Sequence, residues 1–404
     1  MTVTIEKSTA RGKVSAPPSK SMGHRLLICA ALAEGESTVR GIATESADMQ
    51  ATLACLSALG AECTVTGDTV RVRGIDMKKA HPTESLFCNE SGSTLRFLIP
   101  IALLSGGNVM FSGAERLFNR PMTVYETMCA ERGLFFSKDE KSAVVRGPLA
   151  PGEYRVAGNI SSQFISGLLF ALPLLDGDSV IRITPPLESR SYIHLTVSAL
   201  ADFGIRVEWK DDFTLVIPGG QRYIPTDAEV EGDYSGAAFL AALATLGGSV
   251  EMTGLRPDSK QGDRAYDRFF PMLSRGTPTI HIGDCPDLGP ILFAVAAAKN
   301  GAVFTGTARL RIKESDRVAT MTEELAKFGV TVTASEDSAV VYPSDFHAPS
   351  APLSGHNDHR IVMALSVLAT LTGGTITGAE ACVKSFPDFF EKLGELNIKL
   401  TKTD

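Results

Sequence analysis

The chain lacks several features that would each point to a common class of function. Of its 404 residues, one is tryptophan and seven are tyrosine, which is few for an aromatic platform on which nucleic-acid bases stack. The formal net charge of −7 argues against a general binder of nucleic acid or of an anionic membrane. The seven cysteines show no C-x-x-C spacing, which indicates reduced thiols and a cytoplasmic protein.

Long apolar runs and several well-known catalytic motifs are also missing. The longest apolar stretches, such as residues 164–175, are far shorter than a membrane span, and residues 1–13 contain no apolar signal segment. The chain has no G-x-S-x-G, no H-E-x-x-H and no glycine-rich dinucleotide motif. Its seven histidines show no metal-ligand spacing, so hydrolase, metalloenzyme and dinucleotide chemistries are disfavoured.

What the chain does contain is an internal repeat. A helix-like apolar run that ends at a glycine occurs six times, and the glycines are Gly35, Gly106, Gly177, Gly247, Gly301 and Gly373. The intervals between them are 71, 71, 70, 54 and 72 residues. A short strand pattern and a more amphipathic helix follow each glycine, and most units end with two strands joined by a charged turn. The fourth unit is short by about one hairpin, which explains the interval of 54 residues.

Six such units are too small to hold six separate cores, so two groups of three are the natural partition. Residues 219–227 are the best linker candidate, and a second crossing is expected near residues 15–18. We therefore predict an α/β protein of two similar domains. The first covers residues 17–226 with units one to three, and the second covers residues 1–16 plus 227–404 with units four to six.

The most highly charged stretch lies between a strand-like run and a periodic helical run. Residues 311–317 carry five ionisable side chains, and the helical pattern follows over residues 318–328. Ser315 is a predicted N-cap, which would place Lys313 and Glu314 at a helix N-terminus, where anions bind. Taken alone, the stretch is more typical of a solvated, charged helix start.

Similar polar starts precede other repeat helices. Four of the six helices begin with small polar residues together with a cation or an amide, in residues 19–25, 89–96, 161–163 and 357–360. A repeat fold that directs equivalent helix N-termini at one cleft focuses positive potential there, despite the negative total charge. The sequence therefore predicts a cleft for a small molecule with several negative charges. Asp287 and Glu314 are candidates for proton transfer, although each residue taken singly is equally typical of a surface ion pair or a helix cap.

Taken together and in order, these motifs resemble the 5-enolpyruvylshikimate-3-phosphate synthase family. The matching segments are residues 18–21 with Arg25, 91–93 with Arg96, 120–121, 161–163, Ser189 with Tyr192, 313–317, 358–360 and 384–387. They span nearly the whole chain. The resemblance implies two globular halves, each of three βαβαββ repeats of the inside-out α/β barrel type, with the active site between them.

The resemblance also implies an activity. It is the transfer of enolpyruvyl from phosphoenolpyruvate to the 5-hydroxyl of shikimate 3-phosphate, with release of phosphate, in the shikimate pathway of aromatic amino-acid and chorismate biosynthesis. The reaction passes through a tetrahedral adduct and needs no metal or organic cofactor. A cytoplasmic monomer is implied, with two small-molecule substrates and neither nucleic acid nor membrane as a partner.

Site residues follow from the resemblance by position. The shikimate 3-phosphate site is implied to comprise Lys20, Ser21, Arg25, Ser161, Ser162, Gln163, Ser189, Tyr192, Asp287 and Lys313. The phosphoenolpyruvate site is implied to comprise Lys20, Gly92, Arg120, Gln163, Arg317, Arg360 and Lys384. Asp287 is implied to take the 5-hydroxyl proton, while Glu314 and Lys20 handle protonation at the enol carbon and its reversal.

Two residues depart from the family pattern, and three alternative interpretations are compared with it. Glu90 stands where asparagine is common in the family, and Arg309 stands where an asparagine often contacts the shikimate ring. The sister enolpyruvyl transferase acting on UDP-N-acetylglucosamine uses a loop cysteine, yet residues 113–121 contain none and Cys129 lies in a predicted helix. A catalytically silent anion-binding relative is a further alternative, whereas RNA-processing relatives are disfavoured by the acidic balance. Gly92 suggests sensitivity to glyphosate, which mimics phosphoenolpyruvate.

Overall fold

The computed structural model describes residues 1–82 and 84–403. Contacts divide the chain into two compact units. The N-terminal unit is Pro18–Glu231, and the C-terminal unit is Met1–Pro17 with Gly232–Asp404. The domain limits predicted from the sequence, after residues 16 and 226, stay a prediction. Across the two described ranges, no helix has both the length and the hydropathy that a membrane span requires.

The N-terminal unit contains three repeats. Before them, the chain forms β1 (Thr2–Ile5) and β2 (Arg11–Ser15). The first repeat contains α1 (Lys20–Leu32), β3 (Gly35–Arg40), α2 (Ala47–Ala58), β4 (Glu62–Thr66) and β5 (Thr69–Gly74). The second contains β6 (Leu86–Phe87), α3 (Gly92–Ala102), β7 (Asn108–Ser112), α4 (Glu115–Phe118), α5 (Thr123–Glu131), β8 (Phe135–Lys138) and β9 (Ser142–Arg146). The third contains β10 (Gly152–Ala157), α6 (Ser162–Ala171), β11 (Ser179–Thr184), α7 (Arg190–Asp202), β12 (Glu208–Asp211) and β13 (Thr214–Ile217), and β14 (Ala228–Glu229) follows.

These repeats form three four-stranded sheets of one topology. Their strand orders are β14-β3-β5-β4, β6-β7-β9-β8 and β10-β11-β13-β12. In each sheet the first two strands are parallel and the hairpin pairs are antiparallel. The alternation along β5 fixes its register, since Val70 and Val72 are buried while Arg71 and Arg73 are exposed. The predicted α/β fold of βαβαββ repeats is confirmed.

The C-terminal unit contains the other three repeats. The fourth has α8 (Tyr234–Thr245), β15 (Ser249–Thr253) and α9 (Tyr266–Arg275). The fifth has β16 (Thr279–His281), α10 (Gly289–Ala298), β17 (Ala302–Thr305), α11 (Arg317–Ala326), β18 (Val332–Ala334) and β19 (Ser338–Val341). The sixth has β20 (Leu353–Ser354), α12 (His359–Thr372), β21 (Gly374–Thr377), α13 (Phe389–Glu395) and β22 (Leu400–Thr403).

The N-terminal segment completes two of these repeats. In the fourth, β2 pairs in parallel with β15 in a two-stranded sheet, and the chain then passes from α9 to β16. In the sixth, β1 lies between β21 and β22, where the first, second, third and fifth repeats place the last strand of their own hairpin. The fifth repeat forms a complete sheet, in the order β16-β17-β19-β18.

The six apolar runs predicted to be helices are α1, α3, α6, α8, α10 and α12. Their residues are buried over most of the helix surface, as in α3, where every residue except Ser93 is buried. Burial on all sides explains why these sequences are apolar throughout rather than on one stripe. Polar residues concentrate in and before their first turns, and the candidate site is built there.

Candidate active site

Serine N-caps begin the four helices that carry predicted site residues in the N-terminal unit. They are Ser19 of α1, Ser91 of α3, Ser161 of α6 and Ser189 of α7. The first three accept a hydrogen bond from a backbone N–H of the first turn, which satisfies one of the otherwise unpaired donors there. Ser189 has a left-handed backbone conformation, with φ of 54°, and is 1% exposed. Ser161 and Ser162 are also buried.

The first turns of α3 and α6 are joined through Gln163. Its amide nitrogen donates to the Ser93 hydroxyl at 2.9 Å, and its amide oxygen accepts from Arg96 Nη1 at 2.7 Å. Arg96 also donates to the Pro121 carbonyl at 3.0 Å, so it connects α6 to the segment that carries Arg120. These contacts fix the Gln163 amide at the N-terminal ends of two adjacent helices.

Gly92, the first residue of α3, lies against Arg120. A Cβ atom added at Gly92 would lie 2.8 Å from Arg120 Nη1 and 3.6 Å from Gln163 Oε1. Only glycine therefore allows the guanidinium to approach this backbone so closely. The structure brings together Gly92, Arg120 and Gln163, three of the residues predicted to bind phosphoenolpyruvate.

Arg25 joins α1 to α7. It is 2% exposed and donates to Thr196 Oγ1 at 2.8 Å, to the Ser21 carbonyl at 2.6 Å and to the Tyr192 carbonyl at 2.9 Å. Burial lowers the pKa of its guanidinium to about 10. The side chain therefore fixes the backbone of two predicted shikimate 3-phosphate residues, Ser21 and Tyr192.

Lys20 pairs with a carboxylate that the sequence analysis did not single out. Its Nζ lies 2.8 Å from Asp48 Oδ2, and the two side chains are 17% and 13% exposed. Asp48 belongs to the first turn of α2, where an acidic residue is common because of the helix dipole. That position alone gave no indication of a contact with Lys20, which lies 28 residues earlier.

In the C-terminal unit, one arginine contacts three carboxylates. Arg317 is 1% exposed, and it lies 3.0 Å from Asp287, 2.8 Å from Glu314 and 2.9 Å from Asp358. Asp358 is fully buried. Burial is the largest single effect and would raise the pKa of the Asp358 carboxyl, but the charge of Arg317, its hydrogen bond and a smaller effect of His359 together hold that pKa below its usual range.

Asp287 in turn faces three cations. Its carboxylate lies 3.0 Å from Arg317, 2.9 Å from Arg360 and 3.4 Å from Lys313. Asp287 lies in the short 3-10 helix Pro286–Leu288, directly before α10. The structure thus brings the predicted proton acceptor into contact with three predicted substrate-binding cations. The most distant of them in sequence, Arg360, is 73 residues from Asp287.

The predicted N-cap of α11 is wrong by one residue. The cap is Asp316, whose carboxylate accepts from the backbone N–H groups of Val318 and Ala319. The Ser315 hydroxyl donates to Asp358 at 3.0 Å instead. An aspartate and a serine are about equally good N-caps, so the tertiary contact to Asp358 decides between the two neighbouring residues.

Lys384 contacts the segment that precedes α12. It ends the 3-10 helix Ala379–Lys384, and its Nζ donates to the Asn357 carbonyl at 2.7 Å. Arg309, the unusual residue of the fifth repeat, is 6% exposed and lies in the 3-10 helix Ala308–Ile312. Its charge is one of the causes that lower the pKa of Lys313.

Lys313 gives the cluster a predicted dependence on pH. Burial lowers the pKa of its ammonium from 10.5 to about 8; Asp287 opposes that change, while Arg309 and Arg317 add to it. We expect kcat/KM to fall as the pH rises through about 8, because deprotonation removes a cation that would face an anionic substrate. Lys313→Arg should move this fall to higher pH, since a guanidinium stays charged.

Deprotonation of Lys313 does not itself destabilise the fold. The folded-state pKa of Lys313 lies below its unfolded value, so the unfolded chain binds more protons between pH 8 and 10.5. This residue therefore makes the free energy of unfolding rise with pH in that window. Rate and denaturation profiles measured together separate the two effects, and an alkaline fall that is identical in Lys313→Arg contradicts the assignment.

Two further features bear on the alternatives, namely the surroundings of Cys129 and one group of side chains with metal-like spacing. Cys129 is buried within α5, and burial raises the pKa of its thiol to about 11, so it does not match the loop cysteine of the sister transferase. Within residues 1–82 and 84–403, one group has side chains spaced for a metal ion, namely Glu323, Glu324 and His356. Glu323 and Glu324 lie near the C-terminal end of α11, His356 lies in the loop before α12, and the group is considered below.

Comparison with known proteins identifies the family. Residues 5–393 of this chain match the sequence pattern of a family described as "EPSP synthase (3-phosphoshikimate 1-carboxyvinyltransferase)". A 3-phosphoshikimate 1-carboxyvinyltransferase of Clostridium acetobutylicum is 39% identical over 98% of this chain and 97% of its own length. The enzyme of the same name from Clostridium kluyveri is 36% identical, also over 98% of this chain and 97% of its own.

Solved structures support the same fold. An EPSP synthase from Acinetobacter baumannii aligns with a TM-score of 0.80 at 24% identity, over 99% of this chain and 100% of that one. The enolpyruvyl transferase NikO from Streptomyces tendae aligns with a TM-score of 0.76 at 16% identity, over 100% and 98%. The resemblance predicted from the motifs is confirmed, and the chain belongs to the EPSP synthase (3-phosphoshikimate 1-carboxyvinyltransferase) family.

Proposed function

We propose that this chain transfers the enolpyruvyl group of phosphoenolpyruvate to the 5-hydroxyl of shikimate 3-phosphate and releases inorganic phosphate. The observation that carries the proposal is the Asp287 carboxylate within 3.4 Å of Lys313, Arg317 and Arg360. A base beside clustered cations suits a reaction in which an alcohol is deprotonated next to an anionic substrate. Family membership supports the same activity.

Shikimate 3-phosphate is assigned mainly to the N-terminal unit. Ser161, Ser162 and Ser189 are buried at or beside helix N-termini, where backbone N–H groups and the helix dipole favour a phosphate. Lys20 and Ser21 begin α1, and Arg25 donates hydrogen bonds to the backbone carbonyls of Ser21 and Tyr192. Gln163, Asp287 and Lys313 complete the proposed set.

Phosphoenolpyruvate is assigned to cations from both units. In the N-terminal unit these are Lys20 and Arg120, and the Gly92 backbone and Gln163 lie close to Arg120. In the C-terminal unit they are Arg317, Arg360 and Lys384. Arginine can bind a carboxylate or a phosphate with two parallel hydrogen bonds, which fixes the orientation of the ligand.

The proposed reaction is an addition followed by an elimination. Asp287 removes the proton of the 5-hydroxyl as the hydroxyl oxygen bonds to C2 of phosphoenolpyruvate, while Glu314 and Lys20 handle protonation at C3. Glu314 and Lys20 then take a proton back from the methyl group of the tetrahedral adduct, the C2–O bond to phosphate breaks, and the enol ether and inorganic phosphate form. The cations stabilise charge that moves between the carboxylate and phosphate groups.

Phosphate release is the direct test. We expect release by the purified protein only when both substrates are present, and loss of release in Lys20→Ala and Glu314→Ala variants that remain folded. Lys78→Ala is a matched control, because that lysine forms an exposed ion pair with Asp176. Release with UDP-N-acetylglucosamine instead would assign the chain to the sister activity, and binding of shikimate 3-phosphate without release would leave a non-catalytic relative.

Gly92→Ala should weaken phosphoenolpyruvate binding without unfolding the protein. The new methyl group displaces the flexible end of Arg120 rather than backbone, so the expected change is a KM for phosphoenolpyruvate raised about tenfold with kcat changed little. Inhibition by glyphosate should weaken in parallel. Gly106→Ala is the control, because a Cβ there meets no atom within 4 Å; equal KM values in the two variants would contradict the assignment of Gly92.

Location and assembly belong to the same proposal. A cytoplasmic location fits the seven cysteines, all of which are free thiols, and the monomer follows from the family resemblance alone. Light scattering on the purified protein tests the monomer, with the mass of 43.0 kDa as the expected result.

A further inference from the structure

A buried carboxylate outside the clusters described above holds the loop that leads to Arg360. Glu324, on α11, is fully buried. Its two oxygens accept from Lys327 Nζ at 2.9 Å each, from the Ser354 N–H at 3.0 Å and from His356 Nε2 at 2.8 Å. An ionised carboxylate only accepts hydrogen bonds, so His356 Nε2 is the donor in this contact.

The loop itself has an unusual backbone. His356 and Asn357 are consecutive residues in the left-handed region, with φ of 47° and 53°, a conformation that costs free energy for residues other than glycine. The loop persists because several contacts determine it. The Asn357 carbonyl accepts from Lys384, and the following residue, Asp358, caps α12 one residue before its first turn.

Helix α11 holds residues 354–358 at two points. Arg317, in its first turn, contacts Asp358 at 2.9 Å. Glu324 lies seven residues later, which places it on the same face of the helix, and contacts Ser354 and His356. One rigid element thus fixes both ends of a five-residue segment, and this segment leads directly to Arg360.

From these contacts we propose that Glu324 and His356 are positioning residues for phosphoenolpyruvate binding. Together they form a latch that sets the place of the Asn357 carbonyl, and thereby of Lys384 and Arg360. The latch rests on the proposed function, since those two cations are assigned there to phosphoenolpyruvate. We do not interpret Glu323, Glu324 and His356 as a metal site, because the Lys327 ammonium already donates to both oxygens of Glu324.

Four substitutions separate the latch from general packing. Glu324→Gln keeps the shape of the side chain but replaces one of its two accepting oxygens by an NH₂ donor. In the unaltered protein, Lys327, Ser354 and His356 donate to both oxygens. His356→Asn keeps a residue that tolerates the left-handed region, but its amide is too short to reach Glu324. His356→Gln places an amide N–H where Nε2 stood. Glu323→Gln is the matched control, because Glu323 is the exposed neighbour on the same helix.

Steady-state kinetics give the first readout. Glu324→Gln and His356→Asn should raise the KM for phosphoenolpyruvate about tenfold, as loss of a supporting contact does elsewhere. The KM for shikimate 3-phosphate should stay within about twofold, because most of its assigned residues lie in the N-terminal unit. His356→Gln should recover most of the affinity, and Glu323→Gln should match the unaltered protein.

Hydrogen exchange of the free protein gives a readout that does not depend on the reaction. Amides of residues 354–360 should exchange faster in Glu324→Gln and His356→Asn than in Glu323→Gln. Unchanged exchange there, or KM values for both substrates that rise together, would overturn the latch. Absence of phosphate release from the unaltered protein would overturn the proposed function instead, and the exchange data would still decide whether the latch exists.

Discussion

Replacing Arg317 by methionine is expected to abolish turnover and to lower the free energy of unfolding by about 3–5 kcal/mol. The guanidinium is the shared partner of Asp287, Glu314 and Asp358. Methionine fills a similar volume but supplies no charge, so a fully buried Asp358 carboxylate would lose its main countercharge. Removal of one member of a buried ion pair costs more than the pair itself contributes.

The pH dependence of this loss identifies its cause. With Arg317 present, the pKa of Asp358 is held below its usual range, so its contribution to stability is complete above the unfolded pKa and disappears as the pH falls through the folded one. Without Arg317, burial raises that pKa, and the variant should gain stability on acidification. The difference in unfolding free energy between the two proteins should therefore shrink as the pH falls towards about 4, and should shrink further below that pH as the unaltered protein loses its own contribution.

Denaturant titrations at several pH values, with phosphate release at neutral pH, test both parts of this prediction. Arg256→Met is a suitable control, because that arginine forms an exposed ion pair with Asp258 and its removal should change little. A stability loss in Arg317→Met that is constant with pH would mean that lost packing, rather than an unpaired carboxylate, is responsible. Retained turnover would remove Arg317 from the proposed substrate site.

The repeats and the helix starts could be predicted from the sequence because both are local properties. Apolar runs buried on all sides fix α3 and α6, and a glycine ends the pattern at nearly constant spacing. Serine N-caps such as Ser91 and Ser161 act within three residues of the helix start. Both partners of such a short-range hydrogen bond lie within a few consecutive residues, so the bond can be predicted from the local sequence.

Contacts between distant segments could not be predicted in this way. The Asp48 carboxylate reaches Lys20 from another helix, and Glu324 reaches a loop about thirty residues further on. Ser315 shows how such contacts override a local rule, because its hydroxyl is bound to Asp358 and Asp316 becomes the cap. Family resemblance proposed the site residues, but it did not give the partner that each of them contacts in the structure.

Asp287→Asn should separate proton transfer from binding at the centre of the site. Loss of a positioned general base costs about 10³-fold in kcat, and asparagine keeps the size and the hydrogen-bonding shape of the side chain. The carboxylate now faces Lys313, Arg317 and Arg360. A neutral amide at position 287 no longer neutralises these three cations, which then attract phosphoenolpyruvate more strongly. The KM for phosphoenolpyruvate should therefore fall or stay constant while kcat drops.

Rapid-mixing and steady-state measurements of phosphate release distinguish the two roles. Asp284→Asn is the control, since that aspartate is exposed in the same loop three residues earlier and should leave kcat unchanged. A KM raised about tenfold with kcat preserved would make Asp287 a binding residue rather than the base. The predicted pattern, lower kcat without weaker binding, is specific to a group whose charge opposes the anionic substrate but accepts a proton during the reaction, because a purely structural carboxylate would weaken both parameters together.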